Sequence, residues 1–238
     1  MVKDSSENSR TKRLSAAQQR MLGTYADSLL AENARAGLMS SGTGRAAVYE
    51  RHFEESLALL DALESRALLT SPLIDIGSGA GFPGLILKIA RPELAVTLLE
   101  AHGKKAAFLQ AMAADLALDG VTILHQRAED AGRSPELREA YPLAIARAVA
   151  PLRVLLELAL PLVEIGGVLA APKGSAALRE LLEAAGALTG LSAIIESADP
   201  LPMPPISERV PMLIIIRKTA ATPERYPRRP GIPAKRPL

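Results

Sequence analysis

Short apolar segments alternate with longer stretches of helical periodicity through the middle of the chain. The clearest helical stretch, 104–118, places Phe108, Met112 and Leu116 on one face. Strands that alternate with helices of this length form βαβ crossovers, and parallel strands are almost continuously apolar because helices cover both faces of their sheet. We therefore predict an α/β fold with a doubly wound, mostly parallel sheet, and we place its strands at 72–76, 95–99, 121–124, 143–145 and 167–170.

Two further apolar segments, 191–195 and 212–216, follow these strands. The connection between them cannot be helical, because it contains Pro200, Pro202, Pro204 and Pro205. The two segments therefore predict an antiparallel hairpin at one edge of the sheet.

The two ends of the chain differ from this central pattern. The first 68 residues show only helical patterns: Ser15 and Gln18 have the spacing of a capping box, and a second helix is predicted over 45–68. Five prolines lie beyond residue 219, so we expect the tail to be extended and weakly ordered on its own. The expected organisation is a helical extension (1–68), an α/β domain (69–218) and a basic, proline-rich tail (219–238).

Composition excludes several classes of protein. The chain has no cysteine and three histidines without an H-E-x-x-H pairing, so neither disulfides nor a metal site is expected. The N-terminus lacks the apolar core of a secretory signal, and charged residues interrupt the most apolar stretch, 143–172, which argues against a membrane span. We expect a soluble cytoplasmic protein.

The segment from Asp75 to Gly84 reads D-I-G-S-G-A-G-F-P-G and directly follows the first predicted strand. Glycines at this junction let the chain turn sharply and let a ligand approach the backbone, and the helix that follows presents free amide donors. Glu100 ends the second strand, where folds of this kind place an acid that binds ribose hydroxyls. The alternative for Glu100 is an ordinary exposed acid at a strand end.

Two nucleotide cofactors are compatible with this loop. Residues 79–84 fit the G-x-G-x-x-G pattern of NAD enzymes, whereas 75–79 fit the D-x-G-x-G pattern of methyltransferases that use S-adenosylmethionine. We favour the methyltransferase and keep an NAD-linked oxidoreductase as the alternative. Asp75 is expected to orient the loop by accepting backbone amides.

Several motifs together resemble the bacterial RsmG (GidB) family over nearly the whole chain. Residues 51–57 (RHFEESL) are similar to the family's R-H-x-x-D-S-L helix, and 73–84 resemble its glycine loop, including the Phe-Pro-Gly ending. Residues 97–100 with Lys104-Lys105 are similar to its second strand and next helix, 146–150 (ARAVA) to its S-R-A-x-A segment, and 222–238 to its C-terminal ending.

The resemblance implies a class I S-adenosylmethionine-dependent methyltransferase with a Rossmann-like fold and an N-terminal helical extension. Members methylate N7 of a guanine in 16S rRNA near the decoding site. The implied partner is 16S rRNA, the small ribosomal subunit or its assembly intermediate. We expect a monomer without a bound metal. A methyltransferase for another substrate and a non-catalytic RNA-binding protein remain alternatives.

The predicted cofactor site combines the glycine loop and Glu100 with positions that the resemblance supplies. Glu129 would otherwise be read as a loop acid beside Asp130, whereas Arg147 ends a strand at the edge where such sheets bind ligands. The predicted cofactor-binding residues are Gly77, Ser78, Gly79, Gly81, Phe82, Glu100, Ala128, Glu129 and Arg147.

Guanine N7 carries a lone pair and no proton, so its methylation needs no general base. We therefore assign no catalytic residue, although Arg147 is a candidate, and expect proximity and orientation to provide the catalysis. Both termini are basic around an acidic middle, which suits a phosphate-rich partner, although solvated tails have the same composition. The predicted RNA-binding residues are Arg147, Lys173, Arg225, Arg228, Arg229, Lys235 and Arg236.

Overall fold

The computed structural model describes residues 9–40, 42–203 and 211–238. Within these residues, seven strands form one sheet in the order β3-β2-β1-β4-β5-β7-β6. Their bounds are β1 Leu73–Ile76, β2 Val96–Glu100, β3 Val121–His125, β4 Tyr141–Ile145, β5 Val163–Lys173, β6 Ala193–Pro200 and β7 Met212–Lys218.

The predicted mostly parallel sheet is confirmed. Strands β1 to β5 pair in parallel, with β1 in the centre between β2 and β4. Strand β7 runs antiparallel and lies between β5 and β6, so β6 and β7 form the predicted hairpin at the edge. Pro204 and Pro205 of the connection lie outside the described residues.

Helices cover both faces of the sheet. The first, α1 (Ala16–Ala36), begins with the predicted capping box, in which Ser15 Oγ accepts from the Gln18 amide and Gln18 Oε1 accepts from the Ser15 amide. It ends where Gly37 adopts the left-handed conformation. The other α-helices are α2 Arg45–Val48, α3 Glu54–Ser65, α4 Gly84–Ala90, α5 Gly103–Asp115, α6 Ala128–Ala131, α7 Leu152–Ala159, α8 Ala177–Glu183, α9 Ala185–Gly190 and α10 Ile232–Lys235.

The second predicted helix contains an irregularity that its sequence pattern does not show. A π-helical turn, Tyr49–Phe53, joins α2 to α3. Such turns contain an extra residue relative to an α-helical turn and occur often at functional sites. Here the turn carries Arg51 and His52, both of which line the cleft described below.

The helical N-terminal region shares a core with one face of the sheet. Leu22, Tyr25 and Phe53 from the N-terminal helices belong to the same buried cluster as Leu85 of α4 and Leu143 of β4. The opposite face packs against the helices α7 to α9 and part of the tail. The N-terminal helices therefore pack directly against the sheet and share its core.

The C-terminal tail, which we expected to be weakly ordered on its own, is docked on the body. Tyr226 is only 8% exposed, and the Arg138 side chain donates to the carbonyls of Thr222 and Tyr226. Arg228 pairs with the fully buried Glu157. Prolines remove amide donors from the tail, but its remaining polar groups find partners on the body, and the short helix α10 is its one regular element in the described residues.

No helix in the described part of the chain combines the length and apolarity needed to cross a lipid bilayer. Likewise, residues 9–40, 42–203 and 211–238 contain no group of three or more histidines and acids placed to hold a metal ion.

Candidate cofactor and substrate site

A cleft of about 640 Å³ opens at the carboxyl ends of the central strands. This volume lies within the range of small-molecule sites. Its walls come from the loop after β1, the end of β2, the segment after β4, the connection between α1 and α2, and the π-helical turn. The predicted residues that line it are Gly77, Ser78, Gly79, Phe82, Glu100 and Arg147.

The glycine loop needs its glycines for two different reasons. Gly77, Gly79 and Gly81 all have positive φ values, of 68°, 58° and 99°. A Cβ at Gly77 would also lie 2.9 Å from Val149 Cγ2, and one at Gly81 would lie 2.7 Å from Leu85 Cδ1. A Cβ at Gly79 would meet nothing nearer than a carbonyl at 3.8 Å, so its backbone faces open space in which a ligand fits.

Asp75 holds the loop from below, as its position in the sequence predicted. Its Oδ2 accepts from the Gly84 amide at 2.9 Å, and its side chain is fully buried. Burial raises the pKa of the Asp75 carboxyl to about 7, although the Gly84 amide and Arg147 act in the opposite direction. Asp75 is absent from the lining of the cleft, so its role here is to shape the loop.

Glu100 lies at the end of β2 with its carboxylate in the cleft. Oε2 accepts from the Gly79 amide at 2.8 Å and Oε1 from the His102 amide at 2.7 Å. These two bonds fix the orientation of the carboxylate, and each oxygen keeps a further lone pair for a ligand hydroxyl. The arrangement fits a ribose diol beside the glycine loop.

Arg147 lies two residues beyond β4 and is held by groups of the π-helical turn and α3. Its guanidinium donates to Glu55 Oε2 at 3.0 Å and contacts His52 Nδ1 at 2.9 Å. It also lies over the Phe82 ring, 5.4 Å from the centroid. The ion pair with Glu55 compensates the charge of Arg147 inside the cleft.

His52 completes this cluster and was not predicted as a site residue. Its ring stacks flat on Phe82, with centroids 4.7 Å apart and planes 4° apart. Burial and the charges of Arg147 and Arg51 lower the pKa of His52 to about 4. The sequence shows that Arg51 and His52 are adjacent, but not that the π-helical turn places both of them at the cleft.

Four of the remaining predicted residues do not line the cleft: Gly81, Ala128, Glu129 and Lys173. Gly81 packs inside the loop. Ala128 is the first residue of α6 and Glu129 the second. Glu129 accepts from the Gly231 amide of the tail at 2.9 Å. Lys173 Nζ is buried, pairs with Glu180 at 2.9 Å and donates to the Ala150 carbonyl.

Of the predicted tail cations, Arg228 is held by Glu157, whereas the others lie at the surface. Arg225 lies over the ring of Tyr226 with its guanidinium 5.1 Å from the centroid. The exposed cations of the tail are Arg225, Arg229, Lys235 and Arg236.

The fold and the site together define a class I S-adenosylmethionine-dependent methyltransferase. The dinucleotide-binding alternative has the strand order 3-2-1-4-5-6, whereas here the antiparallel β7 lies between β5 and β6. The chain belongs to the GidB family, described as rRNA small subunit methyltransferase G, whose model matches residues 18–200.

The chain matches curated relatives over nearly their full length. The chain is 48% identical over 226 residues to the ribosomal RNA small subunit methyltransferase G of Roseiflexus castenholzii, covering 95% of this chain and 94% of that protein. It is 40% identical over 225 residues to the protein of the same name from Lactobacillus johnsonii, with coverages of 94% and 93%. The predicted family is therefore confirmed.

Solved structures show the same fold at low sequence identity. A mutant of MtNAS in complex with S-adenosylmethionine matches with a TM-score of 0.57 at 13% identity, over 85% of this chain and 76% of that one. A geranyl diphosphate methyltransferase in complex with SAM matches with a TM-score of 0.53 at 14% identity, over 77% and 94%.

Proposed function

We propose that the protein transfers a methyl group from S-adenosylmethionine to N7 of a guanine in 16S rRNA, near the decoding site of the small ribosomal subunit. The observation that carries this proposal is the cleft at the carboxyl ends of β1, β2 and β4, which combines the glycine loop with the fixed carboxylate of Glu100 in a chain of the GidB family. The guanine and its N7 atom come from the family resemblance.

The cofactor would be held by the glycine loop after β1 and by residues at the carboxyl ends of β2 and β4. A ligand can approach the backbone of Gly77, Ser78 and Gly79 closely, and the Glu100 carboxylate can accept hydrogen bonds from the ribose hydroxyls. When bound, S-adenosylmethionine supplies an electrophilic methyl group on a sulfonium. We also keep Gly81, Phe82, Arg147, Ala128 and Glu129 in the proposed cofactor site, the last two on the resemblance alone.

The side chains of the cleft suit a methyl acceptor that carries no proton. Glu100 accepts two backbone amides, Glu55 is paired with Arg147, and His52 Nδ1 is occupied by the same guanidinium. These three side chains are thus engaged with protein groups, and a guanine N7 needs no general base. Catalysis then rests on proximity and orientation.

Two sets of cations support RNA binding. Arg51, Lys105 and Arg147 line the cleft, where a target nucleotide must enter. Arg225, Arg229, Lys235 and Arg236 of the tail are exposed, and contacts of such residues with phosphates supply affinity rather than sequence choice. Lys173 and Arg228 belong to the proposed set only if RNA displaces their present partners.

We place the protein in the cytoplasm because its proposed substrate is the small ribosomal subunit or an assembly intermediate. We also propose that it acts as a monomer.

The direct test uses S-adenosylmethionine labelled in its methyl group and small subunits from cells that lack the modification. We expect label in 16S rRNA at one guanine, identified as N7-methylguanosine by cleavage at the modified base. Label on another atom or another RNA would contradict the substrate assignment. Binding of NADH with no binding of S-adenosylhomocysteine in calorimetry would instead support the oxidoreductase.

A further inference from the structure

The His52 imidazole presents one nitrogen to the protein and the other to the cleft. Nδ1 lies 2.9 Å from Arg147 Nη2. A guanidinium only donates hydrogen bonds, so Nδ1 must be the acceptor and the proton of the neutral ring must be on Nε2. Nε2 has no acceptor among residues 9–40, 42–203 and 211–238, and His52 lines the cleft.

The ring is held rigidly in this orientation. It stacks on the Phe82 ring with an angle of 4° between the two ring planes. Phe82 is itself buried beside Tyr25. Arg147 is fixed in turn by Glu55 and by the Arg51 carbonyl. The Nε2–H group is therefore a pre-oriented donor, which loses little conformational entropy when it binds an acceptor.

Guanine offers an acceptor next to its reacting atom. Its O6 and N7 lie on the same edge and both accept hydrogen bonds, whereas adenine has an amino donor in place of O6. A single donor at O6 would thus distinguish the two purines and leave the N7 lone pair unoccupied.

The charge of the cluster also suits this reaction. Methylation at N7 makes the guanine ring cationic, so a neutral His52 adds no further positive charge beside the product. Burial and the neighbouring arginines lower the pKa of His52 to about 4, which keeps the ring neutral, and Glu55 compensates Arg147 at 3.0 Å.

We propose that His52 positions the target guanine and selects it over adenine, by donating from Nε2–H to O6 while N7 remains free for the methyl group. This inference rests on the proposed function, since it concerns the substrate of that same cleft.

Two substitutions separate the roles of the two ring nitrogens. His52→Asn places an amide oxygen near the Nδ1 position, where it can accept from Arg147, but has no donor at the Nε2 position. His52→Gln reaches the Nε2 position with an amide donor. His125→Gln is the control, because His125 is exposed at the end of β3 and does not line the cleft.

The measurement is the single-turnover rate of methyl transfer to unmodified small subunits at saturating enzyme and S-adenosylmethionine, with the affinity for S-adenosylhomocysteine measured separately. We expect His52→Asn to slow transfer by about 10- to 100-fold and His52→Gln to remain within about fivefold of wild type. Cofactor affinity should change by less than about threefold in both, and thermal melting should show both folded.

Other outcomes overturn the inference. A fast Asn variant with a slow Gln variant would mean that the bond to Arg147 is what matters. A loss of cofactor affinity equal to the loss of rate would place His52 at the cofactor. Wild-type protein that methylates no 16S rRNA would refute the proposed function itself, whereas an active wild type with two fully active variants would refute only the role of His52.

Discussion

A fully buried carboxyl group lies beneath the glycine loop. Asp75 Oδ2 accepts from the Gly84 amide, while Oδ1 has no partner in the described part of the chain. A buried, unpaired oxygen is costly as an anion, which is why the pKa of Asp75 rises to about 7 from its ordinary value of 3.8. The proton, when present, belongs on Oδ1.

Asp75→Asn should therefore remove a pH dependence from the stability. Because the folded pKa lies above the unfolded one, the folded state binds the extra proton between about pH 4 and 7, and the wild type loses stability as pH rises through that window. The loss is at most about 1.4 kcal/mol per pH unit. Urea unfolding at pH 5, 6, 7 and 8 measures it.

The difference between the pH dependences of the unfolding free energy of wild type and variant isolates the contribution of Asp75. His52 acts in the opposite sense, since its lowered pKa makes stability rise as pH rises from about 4 to 6.5, but it is present in both proteins. Identical pH dependences for the two proteins would show that Asp75 is ionised when folded.

Gly81→Ala tests the close packing of the loop. A Cβ there would lie 2.7 Å from Leu85 Cδ1 at a φ of 99°, so we expect a loss of about 3 kcal/mol or more in the free energy of unfolding. Gly37→Ala is the matched control, because Gly37 also has positive φ but nothing lies within 4 Å of the added Cβ. It should lose only about 1 kcal/mol. Equal losses in denaturant unfolding would contradict the packing argument.

At the scale of elements, the tail is attached by carboxylates of the body. Glu157 binds Arg228 through both carboxylate oxygens. Glu139 accepts from Lys218 at the end of β7 and from the Thr222 amide, and Glu129 accepts from Gly231. Part of the tail's positive charge is thus neutralised within the molecule.

Arg228→Ala should destabilise the whole protein. Glu157 is 0% exposed, and removing the partner of a buried charge costs about 3 kcal/mol or more. The exposed neighbour gives the control: Arg229→Ala should change the free energy of unfolding by less than about 0.5 kcal/mol. If the two variants unfold at the same denaturant concentration, the ion pair does not hold the tail.

The elements also show where sequence reasoning stopped short. The strand positions were predicted because each has a local apolar pattern, but β5 begins at Val163 rather than at residue 167, since charged and glycine residues interrupt its first half. The π-helical turn has no local signal, because residues 45–68 show a continuous helical pattern. The docking of the tail was not predicted, because its partners Glu129, Arg138 and Glu157 are all remote in sequence.

At the scale of the whole molecule, docking of the tail changes how its role in RNA binding is tested. Deleting residues 222–238 would weaken RNA binding if the tail contacts phosphates, but it would also expose Glu157 and Glu129. Loss of binding could then follow from damage to the body, so substitution of exposed cations is the cleaner experiment.

Arg229→Ala combined with Lys235→Ala should weaken binding to small subunits while leaving affinity for S-adenosylhomocysteine unchanged. Each lost phosphate contact should lower the slope of log affinity against log salt by about 1. The measurement is a binding titration at several salt concentrations, with Arg179→Ala, an exposed cation of α8, as a single-charge comparison. An unchanged affinity and slope would exclude these two cations from the RNA interface.

The sequence alone determined the order of strands and helices, the glycine loop and the acid at the end of β2, because each depends on residue spacing within one or two neighbouring elements. Membership of the family was predicted from short sequence motifs, which are also local. The tertiary structure decided how Arg147 meets His52, residues 95 positions apart, and how Glu157 meets Arg228, 71 positions apart. Such contacts depend on how the chain closes on itself, and no pattern within a single segment contains that information.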